Sequence, residues 1–118
     1  MATAYSVVEE FVTWLASLGY TASTYPARTS SGVIVTVERV GGGVVDMVDR
    51  PQIAVQAWAD TEAEAEATAV DIRNEMLLAS RPEGVMSAFV SSGPYPFWDE
   101  STGRPRYQIV FDCTSIIE

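Results

Sequence analysis

The sequence predicts a single α+β domain spanning residues 1–118, with an antiparallel or mixed sheet of about four strands covered on one face by two helices. A chain of 118 residues has the length of one domain, and a hydrophobic content of 47% is typical of a folded core. From Asp49 to Leu78 the hydrophobic period changes from two residues to about 3.6, as in a strand that leads into a helix. The expected order of elements is α-β-β-α-β-β.

The first helix is predicted over residues 4–18, where apolar residues recur at helical intervals. Thr3 or Ser6 can start this helix, and Ser6 and Glu9 have the spacing of a capping box. Residues 20–32 combine a proline, several threonines and a Ser-Ser-Gly sequence, which indicate an extended lead-in and a turn. We expect a short strand near Ala22–Tyr25 within this lead-in.

Residues 33–39 are rich in β-branched side chains and predict a strand. The alternation places its odd-numbered valines towards the core, whereas Thr36 and Glu38 face outward. The next predicted strand, which begins after Pro51, has one apolar face and one mixed face. The apolar face comprises Ile53, Val55 and Ala57, and the mixed face comprises Gln52, Ala54, Gln56 and Trp58.

A helix follows this strand without a long linker. Asp60 or Thr61 can cap its start, and Thr61 and Glu64 have the spacing of a capping box. The apolar stripe expected to face the sheet comprises Ala65, Ala69, Ile72 and Met76. Beyond the helix, residues 85–91 predict a strand, and residues 93–105, rich in proline and aromatics, predict a loop. Residues 106–117 predict the last strand, central or in a hairpin.

Residues 41–50 connect the two middle strands, and two interpretations of this connection are open. The first is a flexible link between antiparallel strands. The second is a projecting arm that docks on a neighbouring chain, because four apolar residues in an ordinary solvated loop would be costly to expose. These residues are Val44, Val45, Met47 and Val48.

The composition argues against an enzyme. The chain has no histidine, and all seven of its basic residues are arginine, so it offers neither an imidazole base or metal ligand nor a lysine nucleophile. Cys113 lies in a strand-like run and is interpreted as a small core residue. Glu62, Glu64 and Glu66 are two positions apart on a helix and cannot converge on one ligand. We therefore expect no catalytic residue, no metal site and no cofactor.

The formal net charge of −9 argues against an open nucleic-acid-binding face, which needs clustered cations. The sequence contains no run of about 18 apolar residues, so no membrane span is predicted. A single cysteine and the absence of a visible secretory signal are consistent with folding inside a cell.

The ordered combination of several segments resembles the tail terminator proteins of long-tailed bacteriophages, also called tail completion or minor tail proteins. The resemblance covers most of the chain. It is carried by residues 37–42 (Val-Glu-Arg-Val-Gly-Gly), 49–51 (Asp-Arg-Pro), 58–60 (Trp-Ala-Asp), 92–95 (Ser-Gly-Pro-Tyr) and 102–107 (Thr-Gly-Arg-Pro-Arg-Tyr).

The resemblance implies a structural virion protein at the head-proximal end of the tail, assembled in the host cytoplasm. Such a protein forms a homo-hexameric ring that caps the tail tube, stops its polymerisation and contacts head-completion or neck proteins. DNA passes through the lumen as a non-specific occupant, and an acidic lumen would repel DNA and let it slide. The alternatives are another head–tail joining protein, such as a head-closure or neck ring, and more distantly a small-ligand binding module.

A head-to-tail ring requires two different contact surfaces on every subunit. The aromatic loop over residues 93–105 is a candidate for one of these surfaces, but its Trp98 could instead cover the domain's own core. Arg50, Arg104 and Arg106 could pair with acidic groups of a neighbouring subunit. Exposed arginine pairs within one chain would contribute little. The candidate interface residues are Val44, Val45, Met47, Val48, Arg50, Tyr95, Phe97, Trp98, Arg104 and Arg106.

Overall fold

The computed structural model describes residues 6–24, 32–97 and 103–116. These residues form an α+β fold in which two helices pack on one mixed seven-strand sheet, so the predicted fold class is confirmed. The helices are α1 (Val7–Ser17) and α2 (Glu62–Leu78). The strands are β1 (Ala22–Ser23), β2 (Ile34–Gly41), β3 (Val44–Val45), β4 (Val48–Asp49), β5 (Gln52–Trp58), β6 (Val85–Pro96) and β7 (Arg106–Ile116).

The four long strands β2, β5, β6 and β7 correspond to the four predicted from the sequence, and three two-residue strands extend the sheet. The strand order is β1-β2-β5-β7-β4-β3, and β6 also pairs with β7. Every pairing is antiparallel except that of β1 with β2. β7 is the central strand, with β5 and then β4 along one side and β6 along the other. The predicted short strand is present as β1, and residues 25–31 lie outside the described residues.

Of the candidate caps, Ser6 and Thr61 precede the two helices, and α1 begins at Val7, three residues later than predicted. The Ser6 hydroxyl accepts a hydrogen bond from the Glu9 N–H at 3.2 Å, and the Thr61 hydroxyl accepts one from the Glu64 N–H at 3.2 Å. These bonds satisfy backbone donors that have no partner within the helix. α1 ends at Ser17, one residue earlier than predicted.

The core lies between the two helices and one face of the sheet. α1 packs on β1 and β2, and α2 packs on β5, β6 and β7. The predicted apolar stripe of α2 and the predicted apolar face of β5 are buried there, as are Tyr107, Ile109, Phe111 and Cys113 of β7. Trp14, which the sequence analysis did not place in the core, is also buried, and its indole N–H donates to the Ser80 hydroxyl at 2.9 Å.

Cys113 is a core residue, as predicted. Its side chain is buried beneath α2 within the cluster that joins helices and sheet. Burial raises the pKa of its thiol to about 12, with a smaller contribution from the charge of Asp112. The thiolate is therefore scarce at neutral pH, and the residue is poorly suited to nucleophilic chemistry.

The prediction of a loop over residues 93–105 is wrong at its start, because β6 continues to Pro96. The pairing with β7 shifts register between Ser92 and Tyr95, and such a bulge accommodates residues that cannot join a regular ladder. Gly93 has φ +90°, and a Cβ there would lie 2.4 Å from the Gln108 carbonyl oxygen. Only glycine permits this close approach.

Replacing Ile72 with aspartate is expected to unfold the domain. Ile72 is 0% exposed in the core, and an unpaired buried charge costs several kcal/mol, a large part of a domain's stability of about 5–15 kcal/mol. Urea unfolding followed by circular dichroism measures the effect. Leu78→Asp is the matched control, because Leu78 lies on the same helix but is 81% exposed. A wild-type midpoint for Ile72→Asp would contradict the core assignment.

Candidate subunit interface

The connection over residues 41–50 forms a hairpin of two short strands. β3 and β4 pair with each other, with Val44 opposite Asp49 and Val45 opposite Val48. Asp46 (φ 52°) and Met47 (φ 65°) form the two-residue turn between them. Positive φ at both central residues matches the twist of a hairpin. We call residues 44–49 the arm, which is the far end of one long hairpin formed by β2 and β5.

Glycine allows the two sides of this hairpin to approach at the base of the arm. Gly42 has φ +93°, and a Cβ there would lie 2.0 Å from the Arg50 carbonyl oxygen. The Arg50 N–H donates to the Gly43 carbonyl at 3.0 Å. Gly42 therefore allows the backbones of the two sides of the hairpin to come into contact at the base of the arm.

The arm is held against the sheet by pairing and by charge. β4 pairs with the end of β7, with Asp49 opposite Ser115. The buried Asp49 carboxylate accepts two hydrogen bonds from Arg39, at 2.8 Å from Nη1 and 2.7 Å from Nη2. Such paired, charge-assisted bonds are strong and directional. Hydrogen bonding to Asp49 is also the main reason that the pKa of Arg39 is raised.

The arm presents apolar side chains to solvent. Val44, Val45 and Met47 are 56%, 59% and 67% exposed, whereas Val48 is half-buried. Arg50, at the base of the arm, is exposed, and its side chain has no ion pair or hydrogen bond within the described residues. The arm thus combines a fixed backbone with uncovered apolar surface.

The aromatic candidates lie at the opposite end of the sheet from the arm. The Arg106 guanidinium lies 4.6 Å from the ring centroid of Trp58 and 4.4 Å from that of Phe97, and its Nε donates to the Phe97 carbonyl at 2.6 Å. The Tyr95 and Phe97 rings are 6.3 Å apart. Trp98 lies outside the described residues. Arg106 therefore contacts both Trp58 and Phe97 within its own chain.

Arg104 is likewise engaged within the chain. Its Nη2 donates to the Gly32 carbonyl at 2.5 Å and lies 3.2 Å from Oδ1 of Asp60. The other Asp60 oxygen accepts from the Gly32 N–H at 3.0 Å. These contacts fasten the start of β2 to the segment before β7, so the structure does not bring Arg104 to the arm.

A row of polar side chains crosses the face of the sheet that the helices leave open. Thr36, Gln56, Gln108 and Tyr95 are opposite one another on β2, β5, β7 and β6. The Thr36 hydroxyl donates to Gln56 at 2.7 Å, Gln56 to Gln108 at 2.7 Å and Gln108 to the Tyr95 hydroxyl at 2.6 Å. We call these four residues the polar row.

The polar row corrects the expectation that Thr36 would face solvent, since Thr36 is 3% exposed and Gln56 5%. Buried polar atoms are tolerated when each has a partner, and the Trp58 indole N–H adds a bond to Thr36 at 3.0 Å. The sequence of each strand showed which positions lie on the mixed face. It did not show which of these positions would be paired across neighbouring strands. The row fixes the register of four strands.

A cleft that the sequence did not predict lies beside the end of α2. Its volume is about 480 Å³, and Leu78, Arg81, Pro82 and Val85 are among its lining residues. Leu77, which also lines it, and Leu78 are exposed apolar residues, and Arg81 is exposed too. We call it the helix-end cleft. The sequence signals only the exposed apolar surface there, through two consecutive leucines just before the Arg-Pro turn that one helical stripe cannot both bury.

A second cleft, of about 460 Å³, lies on the open face of the sheet beside the arm. Val45, Arg50, Phe89 and Asp112 are among its lining residues. One Asp112 carboxylate oxygen, Oδ1, is buried without a hydrogen-bond partner within the described residues. Phe89 is exposed.

The described residues contain no group of three or more histidine, cysteine or acidic side chains arranged to hold a metal ion. None of the helices in this part of the chain is long and apolar enough to cross a membrane. No protein-family model matches the sequence, and no curated protein matches it either. The arm and the helix-end cleft are therefore the features from which a function is proposed.

Replacing Gly42 with alanine is expected to destabilise the protein by about 1–3 kcal/mol, because the new Cβ would be placed against the Arg50 carbonyl at a positive φ. Gly43→Ala is the matched control, since a Cβ at Gly43 meets nothing within 4 Å. Thermal unfolding of the two variants measures the difference. Equal melting temperatures would show that the base of the arm is not tightly packed.

Proposed function

We propose that this chain is a structural virion protein, a ring-forming tail terminator that caps the tail tube, stops its polymerisation and joins tail to head. The observation that supports this most is the arm, an ordered hairpin whose Val44, Val45 and Met47 are each more than half exposed. Exposed apolar groups held on a fixed backbone favour a contact that covers them. Two of the segments that resemble tail terminators, residues 37–42 and 49–51, lie on either side of the arm.

A ring of identical subunits needs two unlike surfaces that fit each other. The arm supplies one apolar surface at one edge of the sheet. Leu77 and Leu78, which are exposed at the end of α2 beside the helix-end cleft, supply another. Two separate apolar surfaces on one small domain favour a head-to-tail assembly over a symmetric dimer, which would need only one.

The charge distribution supports passage of DNA without binding. The chain carries a net charge of −9, and α2 has four exposed acidic residues along its solvent side. They are Glu62, Glu64, Glu66 and Asp71. An assembled ring multiplies this negative charge, and like charge keeps a phosphate backbone from adhering to the wall of a lumen. The partners of such a ring are the tail tube protein on one side and head-completion or neck proteins on the other.

The role proposed is structural and not catalytic. The reactive groups that the chain offers are engaged in packing: Cys113 is buried with a raised thiol pKa, and the Tyr107 hydroxyl donates to Glu62. Hydrogen bonding and burial of this kind stabilise the fold and do not prepare a nucleophile.

Purified protein is expected to form rings with a central opening in electron micrographs, and to bind one end of tail tubes and stop their growth. Tube-length distributions with and without the protein measure the second effect. Location on the portal side of assembled particles, away from the tube, would favour a head-closure or neck ring. A protein that remains monomeric at high concentration and in particles would contradict every ring.

The triple variant Val44→Thr, Val45→Thr, Met47→Gln is expected to keep the fold and lose ring formation. These substitutions retain the hairpin but remove most of the exposed apolar surface of the arm. Val40→Thr is the control, because Val40 is also exposed but lies outside the arm. Circular dichroism and light scattering report fold and assembly. Normal rings from the triple variant would show that the arm is not an interface.

A further inference from the structure

We propose that the arm of one copy docks into the helix-end cleft of the next copy, with Asp46 at the tip of the arm opposite Arg81 at the cleft. This inference rests on the proposed ring and specifies the two surfaces that join. The occupant of the cleft is a second copy of this chain, and the contact is head-to-tail.

The strand register places the arm and the cleft at opposite edges of the sheet. At this end Val44 is opposite Asp49, Asp49 opposite Ser115, and Ser115 opposite Val85. Strands are spaced about 4.8 Å apart, so three spacings separate Val44 from Val85 by about 14 Å. Val85 lines the helix-end cleft. With β4 and β7 between them, the arm and the cleft of one chain lie at opposite edges of this end of the sheet.

The two surfaces match in chemistry. The arm offers Val45 and Met47, both largely exposed, and the cleft offers Leu77 and Leu78. A cleft of about 480 Å³ is wide enough to receive aliphatic side chains from a hairpin tip. Covering both surfaces in one contact removes apolar area from water on each side.

Charge complementarity selects this contact over others. Asp46 and Arg81 are both exposed, and neither side chain has an ion pair or hydrogen bond within the described residues. Copies that carry −9 each repel one another, so an opposite charge at the point of contact is needed to orient the approach. Asp46 lies between the two apolar residues of the tip, where Arg81 at the edge of the cleft can meet it.

The arm is prepared for docking before the partner arrives. Its turn is closed by the pairing of β3 and β4, and the ion pair of the buried Asp49 with Arg39 holds its base. A segment already fixed in its bound shape loses little conformational freedom on binding. This fixed shape distinguishes the arm from a disordered tail that would fold on its partner.

Disulfide cross-linking tests the contact directly. A chain with Met47→Cys is mixed with a chain with Leu78→Cys and treated with a copper–phenanthroline oxidant, which takes two electrons and two protons from a thiol pair as the disulfide forms. A covalent dimer is expected from the mixture and from neither chain alone. Cys113 is buried, so it does not compete.

The matched control for cross-linking pairs Met47→Cys with Glu66→Cys. Glu66 is exposed on the same helix, twelve residues from Leu78 and hence about 18 Å away along the axis. Equal dimer yields from Leu78→Cys and Glu66→Cys, or none from either, would overturn the docking.

A charge swap provides the second test. Asp46→Arg and Arg81→Asp are each expected to raise the protein concentration needed for assembly about tenfold, and the double variant is expected to recover most of the loss. Glu66→Arg makes the same change in net charge as Asp46→Arg and should not weaken assembly. Light scattering over a concentration series measures all four proteins.

The outcomes separate this inference from the proposed function. Wild-type rings that both single variants form equally well would overturn the arm-to-cleft contact and leave the ring intact. Wild-type protein that forms no assembly at any concentration would overturn both. Weakened single variants that the double variant fails to recover would show that Asp46 and Arg81 do not face each other.

Discussion

The pairing of β5 with β7 is the constraint on which the rest of the structure depends. Their register brings Ile53 opposite Phe111 and Gln56 opposite Gln108. Because side chains alternate along a strand, this one choice assigns the apolar residues to the helix side and the polar residues to the open face. A shift by one residue would bury the glutamines under the helices and expose Phe111. The polar row opposes such a shift, since its hydrogen bonds form in one register only.

The same hairpin that builds the core also carries the arm. β2 and β5 belong to the sheet, and their extension as β3 and β4 leaves the domain body while staying paired to β7 at its base. Gly42 and the Arg39–Asp49 pair make this extension rigid. The core therefore determines the direction in which Val44, Val45 and Met47 project. That coupling gives a small domain a projecting apolar element without a separate folding unit.

The surface left by this arrangement favours a structural role. Apolar residues are exposed at the arm and at the end of α2, acidic residues cover the solvent side of α2, and Arg104 and Arg106 are engaged with their own chain. A domain that joins its copies through apolar contacts and stays negative elsewhere suits the proposed tail terminator. The buried, high-pKa thiol of Cys113 and the hydrogen-bonded Tyr107 are elements of packing in such a domain.

The sequence by itself determined the features that depend on local periodicity and local hydrogen bonding. The capping residues Ser6 and Thr61, the apolar stripe of α2 and the alternation of β5 are each set by neighbours within a few positions, and each was predicted. The short strands β3 and β4, which form the arm, and the extension of β6 to Pro96 were decided by pairing between distant segments. Asp46 and Met47 lack the glycine or asparagine that signals a tight turn, so only the tertiary structure showed that they close a hairpin. The helix-end cleft likewise exists only because β6 folds back beside α2, which no local pattern specifies.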